Sequence, residues 1–220
     1  MIAKDLITED IPLLKITDTG NKAIHWMEEF KVSHLPIVKK HEYLGLICET
    51  DILDLNINDE HLEKFKLSLI RPFVLIDQHF YDVIKMFANM KITVLPVLDA
   101  KRNYVGSIPL TALLKEFALL AATRDPGGII VLEMNEHDYS MSRIAQIIES
   151  NDGKILSCYV NSSEYSTKIE VTIKTNKEDI SAILQTFTRY NITIKAYFHQ
   201  TEFKDDIKDR FDLFMNYINM

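Results

Sequence analysis

HLPIVKKHEYLGLICETDIL, residues 34–53, recurs further along the chain as VLPVLDAKRNYVGSIPLTALL, residues 94–114. The two stretches match at a shift of 60 until one inserted residue changes the shift to 61. The match is carried by Leu35 with Leu95, Pro36 with Pro96, Tyr43 with Tyr104, Gly45 with Gly106, and Thr50 with Thr111. Two units that cannot bury their apolar faces alone do so against each other. The sequence therefore predicts a pseudo-twofold pair with a groove between the units, which is a natural place for a small ligand.

Each repeat changes its hydrophobic period along its length. In the first repeat, apolar residues at helical spacing over 23–30 precede a short apolar run at 35–38 and a second strand at 44–48. A further helix begins near Thr50 or Asp51, either of which is a suitable N-cap. The second repeat follows the same order. Both are preceded by a short strand, around 14–17 in one repeat and 74–77 in the other.

A second domain begins after Asp-Pro-Gly-Gly at 125–128, which is the candidate linker. The pattern beyond it predicts strand, helix, two strands, helix and strand, the βαββαβ order of ferredoxin-like domains. The predicted limits are 1–122 for the repeat pair, with repeats at about 1–58 and 66–122, then 129–200 for the second domain, and 201–220 for a C-terminal helix. The predicted fold class is α+β.

The last twenty residues carry an amphipathic helical stripe. Its apolar positions are Phe203, Ile207, Phe211, Phe214 and Ile218. Two interpretations remain open for this segment: docking on its own domain, or a dimer contact. Membrane-surface binding is disfavoured because the opposite face is acidic.

Composition narrows the class of protein. The chain has 220 residues, a net charge of -7 and 47% hydrophobic residues. No basic stripe is available to neutralise nucleic-acid phosphates, and no apolar run reaches the roughly 18 residues of a membrane span. The N-terminus lacks the layout of a signal peptide. Cys48 and Cys158 fall in separate domains and are expected to be reduced. We expect a cytoplasmic protein that binds neither nucleic acid nor membrane.

The repeat resembles a tandem pair of cystathionine β-synthase (CBS) domains. The resemblance rests on the apolar–Pro–apolar strand, seen at 35–38 and 95–98, and on the Gly–apolar–apolar turn that leads into a helix at 45–53. It covers roughly residues 1–120. Residues 129–199 resemble an ACT domain, a small regulatory module. The combination is similar to the acetoin-utilisation-type regulatory proteins of bacteria.

The CBS resemblance implies an adenosine-containing ligand in the groove, where an aspartate accepts the ribose hydroxyls and a hydroxyl residue meets phosphate. In the first repeat Asp51 matches the ribose position, Cys48 replaces the hydroxyl residue and Thr50 lies nearby. In the second repeat these two places hold Pro109 and Ala112. The base-facing wall would come from Ser33 and His34, or from Val94 in the other copy, with Thr111 beside the second helix.

Each of these residues also has an ordinary structural interpretation. Asp51 is equally suited to a helix N-cap, His34 to an exposed surface position, and Cys48 to a small buried residue at a strand end. The seven histidines show no metal-site spacing, so we predict no metal. In the ACT-like part, the turn at 135–140 lacks glycine and carries Glu136 and Asp138, which disfavours an amino-acid ligand and favours a dimerising role.

The sequence predicts a regulatory protein that is not an enzyme, since no catalytic motif is present. Its ligand would be AMP, ADP, ATP or another adenosine-containing compound, with no required cofactor. Its partners would be a second copy in a homodimer and a protein target that the sequence does not identify. The alternative is a ligand-free oligomerisation or interaction scaffold with degenerate CBS sites.

Overall fold

The computed structural model describes residues 1–54, 59–64, 69–162 and 167–199. The chain divides into two compact units, Met1–Glu116 and Phe117–Met220. The predicted C-terminal helix at 201–220 lies outside the described residues. The predicted domain limits at 122 and 129 stay predictions, and the observed division falls earlier, within a helix that runs from Leu110 to Leu120.

Unit 1 contains the two repeats with the same elements in the same order. The first comprises α1 (Gly20–Phe30), β1 (His34–Lys39), β2 (Glu42–Cys48) and α2 (Glu49–Asp54). The second comprises β3 (Val74–Leu75), α3 (Phe80–Met90), β4 (Val94–Leu98), β5 (Tyr104–Pro109) and α4 (Leu110–Leu120). In the first repeat a parallel bridge from Leu14 to Ile37 stands in the place of β3. The predicted internal repeat is therefore present in the structure.

Helix boundaries in the two repeats are set in the same way. Thr19 caps α1 by accepting a hydrogen bond from the Lys22 amide, and His79 caps α3 by accepting one from the Tyr81 amide. Both helices end at a lysine in the left-handed region, Lys31 at φ 54° and its repeat counterpart at φ 52°. A polar cap and a left-handed terminus satisfy backbone groups that a helix leaves without partners.

The repeats exchange their leading segments. A short 3-10 helix at Ala3–Leu6 precedes the first repeat but packs in the core of the second, with Phe80 and Leu95. A matching 3-10 helix at Leu62–Lys64 places Leu62 in the core of the first repeat. Backbone hydrogen bonds link the same segments to the other repeat. The Ala3 amide donates to the Gln78 carbonyl, and the Leu62 amide donates to the Asp18 carbonyl. Each repeat is thus completed by a segment that belongs in sequence to the other.

Glycine is required where these segments cross the strands. Gly45 has φ +150°, and a Cβ there would lie 2.6 Å from the Leu69 Cβ atom. A Cβ on Gly106 would lie 2.5 Å from Cγ2 of Ile7. At Gly45 the backbone oxygen of Ile70 would also lie 2.9 Å from a Cβ, so only glycine leaves room there, whereas at Gly106 the close atom is a side-chain methyl. The glycine shared by both repeats therefore makes the exchange of segments sterically feasible.

Unit 2 contains a four-stranded antiparallel sheet with two helices on one face. Its elements are β6 (Ile129–Asn135), α5 (Met141–Glu149), β7 (Ile155–Ser162), β8 (Lys168–Thr175), α6 (Ser181–Arg189) and β9 (Thr193–Phe198). The strand order is β7-β8-β6-β9. The core lies between sheet and helices and includes Leu132, Ile147, Val171 and Phe187. This element order agrees with the order predicted from the sequence.

Candidate functional site

The two repeats of unit 1 meet at the starts of β1 and β4. The Ser33 amide donates to the Thr93 hydroxyl oxygen at 2.9 Å, and Nδ1 of His34 lies 3.1 Å from the same oxygen. Ser33 and Thr93 occupy equivalent positions in the repeat, so this contact lies on the pseudo-twofold axis. Residues that correspond under a twofold rotation meet where the axis passes between them.

The junction also holds the starts of two helices. The Ser33 carbonyl accepts a hydrogen bond from the Glu49 amide at 3.2 Å, and the Thr93 carbonyl accepts one from the Leu110 amide at 3.0 Å. Glu49 and Leu110 are the first residues of α2 and α4. The junction is therefore bonded directly to the first residue of each helix.

Asp51 lies at the third position of α2. Its Oδ2 atom accepts a hydrogen bond from the Cys48 amide at 3.0 Å, and Cys48 Sγ lies 2.9 Å from the Thr50 hydroxyl. The expectation that Thr50 or Asp51 is the N-cap is wrong, because α2 begins at Glu49. Asp51 instead reaches back to the residue before the helix, which is one half of a capping box. A carboxylate has two oxygens and several acceptor sites, so this bond does not use up its capacity.

His34 is half-buried beside Asp51. Burial lowers the pKa of its imidazole below the usual 6.5, and the nearby Asp51 charge opposes that shift. The Thr93 amide donates to His34 Nδ1 at 3.3 Å, so this nitrogen is an acceptor and the ring is neutral. The alternative of an exposed surface histidine is wrong for His34, because its ring forms part of the contact between the repeats.

Two adjacent cavities lie in the second half of unit 1, at the start of α4. The larger, about 410 Å³, has an apolar wall that includes Ile11, Val32 and Pro109, and polar groups that include Lys31 and Thr93. Its lining thus comes from both repeats. A volume of this size falls within the range of small-ligand sites.

The smaller cavity, about 280 Å³, lies between the N-terminal segment and α4. Its lining includes Thr8, Asp10 and Lys115, and Asp10 and Thr111 face both cavities. The Thr8 hydroxyl oxygen is buried and has no hydrogen-bond partner among the described residues. A buried hydroxyl without a partner costs free energy. This oxygen has an accessible surface below 1 Å², so it lies behind the wall of the cavity rather than on it.

The predicted site residues separate into three groups. Ser33, His34, Cys48, Thr50 and Asp51 lie at or beside the start of α2. Thr111 faces the two cavities at the start of α4. Val94, predicted to face a base, is fully buried in the core of the first repeat.

Sequence reasoning missed three residues, Thr8, Asp10 and Thr93. Thr93 could have been found by applying the repeat shift to Ser33. The other two lie ahead of the repeated stretch, so no pattern marks them. Under the repeat, the segment equivalent to Thr8 and Asp10 includes residues 65–68, which the structure does not describe.

Unit 2 has a cavity of about 560 Å³ near the β6–α5 turn. The Arg143 guanidinium lies on its wall and donates to the Tyr190 carbonyl at 3.2 Å. Glu133 and Lys168 form an ion pair at 2.5 Å on the same wall. The cavity thus carries charges of both signs rather than a single-sign binding surface.

Neither a metal cluster nor a membrane-spanning helix is found in the described parts of the chain. No three His, Cys, Asp or Glu side chains converge there in a way that could hold a metal ion. Within the same residues, no helix has both the length and the hydropathy needed to cross a membrane.

Comparison with known proteins gives a family-model match over the first repeat. Residues 3–57 match the family model of the CBS domain. Inosine-5'-monophosphate dehydrogenase of Methanocaldococcus jannaschii is 24% identical over 147 residues, which are 64% of this chain and 29% of that enzyme. The chain thus aligns with less than a third of that relative.

Solved structures align with about half of the chain. A CBS domain pair/ACT domain protein from Thermotoga maritima has a TM-score of 0.48 and 23% identity, covering 53% of this chain and 96% of that one. The structure of CBSX2 in complex with AMP has a TM-score of 0.46 and 17% identity, covering 53% and 95%. The match to the CBS-domain model covers the first repeat, and the second repeat has the same elements in the same order.

Proposed function

We propose that unit 1 is a regulatory module that binds an adenine nucleotide in the groove between its repeats and signals occupancy to a partner protein. The observation that carries the proposal is the cavity of about 410 Å³ at the repeat junction, which is lined from both repeats and combines an apolar wall with Lys31 and Thr93. A ligand bound there would contact both repeats at once.

The lining of the second-half cavities suits the parts of a nucleotide. Ile11, Val32 and Pro109 offer an apolar wall to a flat base. Lys31 lines the larger cavity, and Lys115 lines the smaller one together with Asp5, Asp10 and Glu116. In our proposal the two lysines contact the phosphate. Because position 112 is alanine, the ribose carboxylate in this half is supplied by Asp10, which faces both cavities.

The first half retains the predicted ribose residue, Asp51. One carboxylate oxygen caps α2, and in our proposal the other accepts a ribose hydroxyl. His34 and Ser33 would stand beside the base, and Thr50 and Cys48 beside the phosphate. The module then has two unequal half-sites, one with Asp51 and one with Asp10. The ligand class follows from the CBS resemblance, and CBSX2 is itself described in complex with AMP.

A binding panel tests this proposal. AMP, ADP, ATP, cyclic dinucleotides and S-adenosylmethionine are compared by thermal shift and calorimetry. At about 100 times its dissociation constant, a ligand stabilises the folded chain by about 2.7 kcal/mol, which raises Tm by several degrees. We expect this shift for at least one adenine nucleotide and none for guanine nucleotides at equal concentration. The absence of any shift would refute the nucleotide proposal.

Matched variants identify the half-site that binds. Asp51→Asn and Asp10→Asn each remove one charge without changing shape, and each should weaken its own half-site about tenfold or more. Asp82→Asn, on the exposed face of α3, is the control and should bind like the parent. If both Asp51→Asn and Asp10→Asn bind as tightly as the parent, the ribose assignment fails.

A ligand-free scaffold is the second candidate function. It is favoured by one observation: the equivalent residues Leu53 and Leu114 are 62% and 65% exposed on α2 and α4. Paired exposed leucines on one unit suit a homodimer contact. A dimer by light scattering that Leu53→Lys converts to monomer, together with flat thermal shifts, would favour this alternative.

For unit 2 we propose a ferredoxin-like, ACT-type module with a dimerising role. Its strand order and its antiparallel neighbours are those of the split βαβ arrangement. In this proposal both units act in one cytoplasmic regulatory protein of the kind that the acetoin-utilisation resemblance implies.

A further inference from the structure

The contact between the repeats depends on an uncharged histidine. The Thr93 amide is an obligatory donor, and it points at Nδ1 of His34 over 3.3 Å. The Thr93 hydroxyl accepts from the Ser33 amide at 2.9 Å, so its own hydrogen is left to donate to the same ring nitrogen at 3.1 Å. The chain of bonds therefore runs from Ser33 through Thr93 to His34, and it crosses from one repeat to the other.

Protonation of the ring would reverse this arrangement. In a histidinium both nitrogens carry hydrogen and neither can accept. The Nδ1–H would then face the Thr93 amide hydrogen, donor against donor. The Thr93 hydroxyl could rotate and accept a hydrogen bond from the protonated ring. The Thr93 amide can only donate, so its hydrogen bond to His34 is lost.

The surroundings of the ring keep it neutral. Burial lowers the pKa of His34, and the Asp51 carboxylate at the start of α2 is the charge that opposes this effect. On β2, Cys48 stands opposite His34 in the strand register. On the β4 side, Thr93 and Val94 face the junction, and neither of them titrates.

We propose that the His34–Thr93 contact is a proton-operated link between the two repeats, which loosens on protonation and thereby weakens ligand binding in the groove. Thr93 both bonds to the ring and lines the 410 Å³ cavity, so the link and the ligand share a residue. The loosening of the contact on protonation concerns the protein without ligand. The effect on ligand binding rests on the proposed nucleotide function.

The sign of the pH effect follows from proton linkage. The unfolded histidine has a pKa near 6.5 and the folded one lies below it. Between these two values the unfolded chain binds more protons, so stability falls as pH decreases through this window. The link is intact above about pH 6.5 and is lost as pH drops through the folded pKa.

The link is tested first on the ligand-free protein. Tm is measured from pH 5 to pH 8 for the parent, for His34→Gln, which can accept a hydrogen bond but does not titrate, and for His41→Gln, an exposed histidine as control. We expect the parent and His41→Gln to lose about 2–5 °C more than His34→Gln as pH falls from 8 to 5. An NMR titration should place the His34 pKa below 6.5. Parallel pH profiles for parent and His34→Gln, or a His34 pKa at or above 6.5, would overturn the link.

The coupling to ligand is tested by calorimetry with AMP at pH 5.5 and pH 7.5. The AMP phosphate gains a proton at about pH 6, so the loss of affinity in the parent is compared with the loss in His34→Gln. We expect the parent to lose several-fold more affinity than His34→Gln between pH 7.5 and pH 5.5. An equal loss in both proteins would overturn the coupling and leave the nucleotide proposal standing. If AMP binds at neither pH, both the coupling and AMP as the ligand are refuted, while the ligand-free profile still decides the link.

Discussion

Replacing Leu46 by alanine is expected to lower the unfolding free energy of unit 1 by about 2–5 kcal/mol. Leu46 belongs to the first repeat, yet it is fully buried in the core of the second, with Phe80 and Leu95. Truncation there leaves a cavity that close-packed neighbours cannot fill. The loss should lower the urea midpoint by about 1–2 M.

The fluorescence of Trp26 tests whether the two repeats unfold together. It is the single tryptophan, and it packs against the core of the first repeat. If the exchanged packing couples the repeats, Leu46→Ala should shift the Trp26 fluorescence transition although its lost contacts lie in the second core. Val105→Ala, at an exposed position on β5, is the control and should shift the midpoint little. An unchanged Trp26 transition in Leu46→Ala would mean that the repeats unfold separately.

Phe187→Ala is expected to cost unit 2 about 3–5 kcal/mol. The ring is fully buried between α6 and the sheet, in contact with the core that contains Leu132 and Val171. Far-UV circular dichroism during urea unfolding follows the loss of the sheet and its helices. Gln185→Ala, two residues earlier on the exposed side of α6, should remain within about 0.5 kcal/mol of the parent. Equal midpoints for the two variants would contradict the assigned core.

Much of the fold can be predicted from the sequence because each hydrophobic pattern of unit 1 occurs twice. The helical stripe before β1 and the alternation in β8 are periodicities that local structure must satisfy. The exchange of Ala3–Leu6 and Leu62–Lys64 could not be predicted in this way. The apolar character of a residue predicts that it is buried. It does not predict in which of two similar cores the residue is buried.

The site was less predictable for a related reason. A carboxylate at the third position of a helix suits both a capping contact and a ribose contact, and the spacing around Asp51 is the same for both. The structure shows the capping contact and leaves the ribose contact to the variant experiment. The Ser33–Thr93 contact was predictable in principle, because equivalent residues close to a pseudo-twofold axis must meet. Thr8 and Asp10 stand outside the repeat, so only three-dimensional placement reveals them.

The exchanged leading segments also determine when unit 1 can fold during synthesis. Ile7 packs over Gly106, so the segment around Ile7 is synthesised about a hundred residues before the strand on which it packs. At roughly 5–20 residues per second this delay lasts about 5–20 s. During that time the Ala3–Leu6 segment and the first core remain incomplete, and loop closure over such a separation is slow. We therefore expect slower translation to lengthen the time for which this apolar segment lacks its partners.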